Sequence, residues 1–115
     1  MATYRTEGAL AVEALGDPTR RAIFELLVDG PRSVGELAEV VPISRPAVSQ
    51  HLKVLHQRGL VDVRPQGTQR LYLVSPDGVD AMRAYLDQMW DSALRAFARA
   101  VTDETVQNTQ GKRKR

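Results

Sequence analysis

The chain contains no cysteine. That excludes disulfides, thiol catalysis and every metal site built on thiolates. Histidine is almost as scarce: only His51 and His56 occur, and neither has a carboxylate at a recognisable ligand spacing. No apolar stretch approaches the roughly 20 residues that span a bilayer, so no membrane partner is expected. The start, MATYRTEGAL, lacks a basic segment followed by an apolar run, so it does not read as a secretory signal and the cytoplasm is the expected compartment. Paired carboxylates in a plausible pocket, a nucleophile–base pair and a Gly-Lys-Ser/Thr phosphate loop are all missing. An enzyme reading therefore has little to stand on, and no cofactor is expected. One further absence is local: residues 44–61 contain no aspartate or glutamate.

The 115 residues present suffice for one domain. A domain this small buries a modest share of its surface, so dimerisation would add a second core. Net charge is only +2, but it is unevenly spread. Residues 1–18 carry −2, residues 19–70 carry +3, residues 71–110 carry −3, and the final GKRKR adds +4. Within 44–70, Arg45, Lys53, Arg58, Arg64 and Arg70 face a single acid, Asp62. A basic middle on a nearly neutral chain fits a local phosphate-binding surface, although a solvated face gives the same count.

Residues 7–15 are mostly apolar and form a short helix candidate ended by Gly16. Asp17-Pro18 reads as an N-cap followed by proline at the first helical position. Ala22, Ile23, Leu26 and Leu27 then recur at helical spacing, up to Gly30-Pro31. Ser33 to Glu36 is a capping box that opens a helix over 34–41, with Val34, Leu37, Ala38 and Val41 inward. Pro42-Ile43-Ser44 turns into a helix over 45–58, whose buried stripe is Val48, Leu52 and Leu55. Gly59 suits a left-handed C-cap. The period then changes to two short strands, 60–64 and 69–74, around the turn cluster 65–68. Ser75-Pro76 starts a long helix over about 76–101, with Val79, Met82, Leu86, Met89, Trp90, Ala93, Phe97 and Val101 on one stripe. Polarity after Val101 reads as a disordered basic tail, 102–115, including Lys112, Arg113, Lys114 and Arg115. Residues 1–101 thus form the folded domain.

Helices 34–41 and 45–58 are joined so tightly that they must cross at a large angle and bury their inner faces on a third helix. The second of the pair then stands proud of the surface, in the manner of a helix that enters a major groove. With Val48, Leu52 and Leu55 inward, the outer face holds Pro46, Gln50, Lys53 and Gln57, flanked by Ser49 and begun by Ser44 and Arg45. Gln50 can donate to and accept from adenine, and Ser49 suits several bases. Lys53 and Arg45 are better placed for phosphates. In the hairpin, Arg64, Gln69 and Arg70 flank the Gly67 turn and suit a minor groove and its phosphates. A soluble edge hairpin would also carry arginines. His51 points toward the buried stripe and reads as structural; His56 reads as a solvated flank.

The segment LGDPTRRAIFELLVDGPRSVGELAEVVPISRPAVSQHLKVLHQRGLVDVRPQGTQRLYLV resembles the ArsR-type family of winged-helix repressors. The likeness spans about residues 8–101. Its most specific parts are DPTRR, VSQHLKVL and the GLV that starts the first strand. The resemblance implies a mainly α fold with a β-hairpin wing, in the order α-α-α-α-β-β-α. It implies a homodimer formed through the first and last helices, with Leu10, Leu86, Met89, Trp90, Ala93 and Phe97 at the interface. It also implies repression from a pseudo-palindromic operator in double-stranded DNA, with recognition helices about 34–36 Å apart. The chain departs from metal-sensing members of the family. ELAEVV has no cysteine and helix 76–101 no histidine, while Asp80, Asp87 and Asp91 lack nitrogen partners. No regulatory metal is expected; the effector is an organic small molecule or none. A winged helix serving as a protein-interaction module is the competing reading. It would want an acidic or apolar outer face on 45–58, which the residues oppose.

Overall fold

Side-chain caps set the starts of three successive helices. Asp17 accepts the Arg20 amide at 2.9 Å and opens α2 (Pro18–Val28). Ser33 accepts the Glu36 amide at 3.2 Å, while the Glu36 carboxylate accepts the Ser33 amide at 2.9 Å; this reciprocal box opens α3 (Val34–Val40). Ser44 accepts the Ala47 amide at 3.3 Å and opens α4 (Arg45–Gln57). Before them lies α1 (Ala2–Ala14), which starts earlier than the apolar pattern suggests because no proline or glycine interrupts residues 2–7. The computed structural model describes residues 2–113, with side chains for residues 6–104.

The chain forms two compact units, Met1–Tyr85 and Leu86–Arg115. The first contains α1 to α4, the hairpin β1 (Val61–Gln66) and β2 (Gln69–Val74), and the start of α5 (Pro76–Arg113). The second consists of the continuation of α5. The first unit closes around Ile23, Leu27, Leu37, Val48, Leu52, Leu55, Leu60 and Val61, each almost fully buried. Burying one such side chain is worth about 1.5–3 kcal/mol. On α2 the buried arc is Ile23, Phe24 and Leu27, whereas Ala22 is exposed. The arc is thus rotated from the stripe that the alternation of Ala22, Ile23, Leu26 and Leu27 suggests.

Helix α4 ends in a complete Schellman motif. The Gly59 amide donates to the His56 carbonyl at 3.0 Å and the Leu60 amide to the Leu55 carbonyl at 2.9 Å, with Gly59 at φ +78°. Buried Leu55 and Leu60 supply the accompanying apolar contact. The first turn of α5 then passes so close that a Cβ on Gly78 would run into the Gly59 carbonyl.

The hairpin is antiparallel, with Val61 opposite Val74 and Gln66 opposite Gln69. Its loop is the two residues Gly67-Thr68 rather than the four of the 65–68 cluster. Gly67 has φ +62° and, among the described residues, no non-glycine residue has positive φ, the pattern of a type II′ turn, whose twist matches that of the strands. Arg32 adds a one-residue bridge on the far side of β2: its amide donates to the Tyr72 carbonyl at 3.0 Å and its carbonyl accepts the Tyr72 amide at 2.8 Å. β2 is therefore the middle strand and the wing is tied to the α2–α3 connection. The last helix continues to Arg113, past the end expected at 101, because no proline follows Pro76. Side chains of the Lys112–Arg115 cluster lie outside the described residues.

Candidate nucleic-acid interface

The connection between α3 and α4 is four residues, 41–44. Val41 is extended and donates its amide to the Leu37 carbonyl at 2.9 Å; Ile43 donates to the Val41 carbonyl at 2.8 Å across Pro42, a tight three-residue turn. This bend packs Leu37 against Val48 and Leu52 in one core and leaves the opposite side of α4 outward. Ser44, Arg45, Pro46, Ser49, Gln50 and Lys53 are all exposed. His56 and Gln57 are exposed too, whereas His51 is half-buried. His51 stands close enough to Asp17 to help lower its carboxyl pKa, behind the larger effect of the Arg20 amide. It belongs to the packing of α4 on α2 rather than to the outer face.

The hairpin divides the sequence-derived wing residues between two faces. Arg70 pairs with Pro65 and shares the face of Val61, Val63, Tyr72 and Val74, which turns toward the core. Arg64 pairs with Leu71 and lies on the opposite face, with Asp62 and Leu73. Of the two arginines, only Arg70 therefore faces α4; Gln69 lies on the face of Arg64 but still borders the cleft. Arg45, Ser49, Gln69 and Arg70 line one cleft between α4 and the wing. Ser49, Lys53, His56, Arg70 and Tyr72 line its continuation along the helix. Gln50 and Pro46 stand on the exposed crest of α4 rather than in these clefts. The resulting surface is a helix crest able to form hydrogen bonds, beside a groove with three cations.

Two contributors are not visible in the sequence. Tyr72 lines both halves of the groove, and only the Arg32 bridge reveals that its strand is central. Arg32 itself carries no motif signature. Two acids border the first cleft, Glu36 and Glu39. Glu36 is occupied: the Ser33 amide, then the Ser33 hydroxyl, hold its carboxyl below the usual glutamate range.

The residues expected at a dimer interface separate by unit. Leu10 is half-buried in the first, bordering a cleft with Glu7, Gly78 and Ala81. On the second, Leu86, Met89, Trp90, Ala93 and Phe97 are all exposed, with Trp90 at 65% and Phe97 at 67%. Leu94 and Val101 share the stripe, Leu94 lying one position beyond Ala93. Among the described residues no three His, Asp or Glu side chains are placed to hold a metal ion, and no helix is long and apolar enough to cross a membrane.

This arrangement has close parallels. A helix-turn-helix domain family matches residues 15–64. The HTH-type transcriptional regulator Rv2034 of Mycobacterium tuberculosis is 52% identical over 90% of this chain and 96% of that protein. The chain belongs to the ArsR family of winged helix-turn-helix regulators. An ArsR-like transcriptional regulator from Rhodococcus sp. RHA1 superposes with a TM-score of 0.71 at 30% identity, over 87% of this chain and 96% of that one. The homodimeric winged helix-turn-helix DNA-binding domain Mb0332 of Mycobacterium bovis gives 0.61 at 29% identity, over 79% and 83%. This ArsR-family chain is thus a DNA-binding transcription regulator and not an enzyme.

Proposed function

We propose that the protein is a homodimeric repressor that binds a pseudo-palindromic operator. Each protomer lays α4 in a major groove and uses Arg70 of the wing on the adjoining phosphates, with Arg45 and Lys53 on the backbone near the helix. Gln50 and Ser49 read bases. The observation that carries this reading is the acid-free crest of α4 beside a groove lined by Arg45, Lys53 and Arg70. The exposed stripe from Leu86 to Val101 supports a second copy as the partner of α5, and the Mycobacterium bovis domain is itself homodimeric. Regulation does not pass through a metal: the chain has no cysteine, and its described acids and histidines do not cluster. Repression is the direct outcome of a dimer occupying a promoter, and the site of action is the nucleoid in the cytoplasm.

Selection of genomic fragments by the purified protein tests this. Bound fragments are expected to share two inverted half-sites with centres about one helical turn apart. Failure to retain any duplex at low ionic strength would remove the reading. Placing a selected site across a reporter promoter should lower expression; a rise would make the protein an activator. Gln50→Ala should change which bases are tolerated within the half-site, at a cost of about 1–3 kcal/mol for the preferred base. An unchanged preference would take Gln50 out of base reading.

A further inference from the structure

The first turn of α3 contains a glycine, Gly35, where helix propensity would favour almost any other residue. A Cβ built there would meet three atoms of one group: Arg45 Nη2 at 3.3 Å, Cζ at 3.5 Å and Nη1 at 3.7 Å. Three such similar distances mean that the guanidinium plane lies across the bare Cα of Gly35. No direct ion pair fixes that position, although Glu36 and Glu39 border the same cleft. The start of a helix carries partial positive charge and repels a cation. Glu36, the nearest acid in sequence, gives its carboxylate to the Ser33 amide. Among the described residues, no carboxylate lies within ion-pair distance of Arg45.

We infer that Gly35 is a positioning residue for DNA binding: lacking a Cβ, it seats the Arg45 guanidinium flat against α3, in the cleft with Ser49, Gln69 and Arg70. The inference rests on the reading of α4 as the DNA-contacting helix. A guanidinium seated in this way loses less side-chain freedom on meeting a phosphate, and among the described residues nothing engages its N–H donors. A methyl at position 35 forces it to give by a few tenths of an ångström, and a longer side chain evicts it. The unusual consequence is that stability and affinity move in opposite directions. Replacing a helical glycine strengthens α3, while losing the seat weakens binding.

The test is a double-mutant cycle on a selected operator duplex, with affinity and thermal unfolding measured for each variant. Gly35→Leu is expected to weaken binding about tenfold, the size of one charge-assisted contact, and Gly35→Ala by less. Gly35→Ala should unfold at or above the wild-type temperature, which keeps the test valid should the leucine variant fold poorly. In an Arg45→Ala background, neither change at position 35 should cost affinity further. Wild-type affinity in Gly35→Leu would overturn the inference while leaving α4 as the reader. So would an equal loss with and without Arg45, or an Arg45→Ala variant that binds normally. Absence of binding by the wild-type chain would instead strike at the functional reading itself.

Discussion

Arg64 and Arg70 show how a single position decides which face of the hairpin a side chain occupies. They bracket the same turn and carry the same charge, yet the strand period of two places them on opposite faces of the hairpin. Any hairpin loop with an even number of residues would do so, and the loop is two. The information is in the parity of the spacing and not in the residue types. On α4 the reverse holds. One turn every 3.6 residues, anchored on Val48, Leu52 and Leu55, was enough to assign every outward side chain from Arg45 to Lys53. The difference predicts unequal roles. Arg70→Ala should weaken binding to all duplexes and reduce the slope of log K against log salt by about one unit per protomer. Arg64→Ala should leave the slope nearly unchanged. Equal slopes for both variants in a salt titration would contradict the assignment of Arg70 to the groove.

Elements were legible where a side chain announces their ends. The caps at Asp17, Ser33 and Ser44 and the stop at Gly59 are local chemistry, so the three central helices could be bounded within a residue or so. DPTRR shows the economy of such signals: Asp17 caps α2, and Arg20 reaches back to the Ala14 carbonyl at the end of α1 at 3.1 Å. What stayed hidden is non-local. The Arg32–Tyr72 bridge depends on two segments forty residues apart, and α5 runs past 101 because polarity alone does not stop a helix.

Two predictions belong to the elements. Asp17 and Glu36 both have carboxyl pKa values below their ordinary 3.8 and 4.5, mainly through the backbone amides they cap. Their contribution is complete above those ordinary values and is lost as pH falls through the lowered ones. Asp17→Asn with Glu36→Gln should therefore unfold below wild type near neutral pH, and the gap should close in acid. A gap independent of pH would mean that the ionised caps contribute nothing. Gly78→Ala drives a methyl into the Gly59 carbonyl, a backbone atom fixed by the Schellman motif, and should cost about 3 kcal/mol. Thermal unfolding would register that as a fall on the order of 10 °C; an unaltered transition would refute the close approach.

At the scale of the whole molecule, the decisive feature is apolar surface that the single chain does not cover. Leu86, Met89, Trp90, Leu94, Phe97 and Val101 keep 44–67% of their surface exposed along one stripe of α5. A stripe of that size marks an interaction surface. A two-fold axis would set Trp90 of each copy into one shared interface, so one substitution acts twice. Charging a buried interface aromatic costs about 2 kcal/mol or more per copy, hence roughly 4 kcal/mol per dimer, close to a thousandfold in dissociation constant. Trp90→Asp should thus sediment as a monomer at concentrations where the wild type is a dimer. Its thermal unfolding should lose the concentration dependence that dimerisation gives the wild type, while the fold of each chain survives because Trp90 is 65% exposed in the single chain. Operator binding should fall much further than for Gln50→Ala, since half of each operator would lose its reader. A variant that remained dimeric in sedimentation would place the interface elsewhere. A monomer that still bound the full operator with wild-type affinity would show that pairing of the two helices is not what holds the protein on DNA.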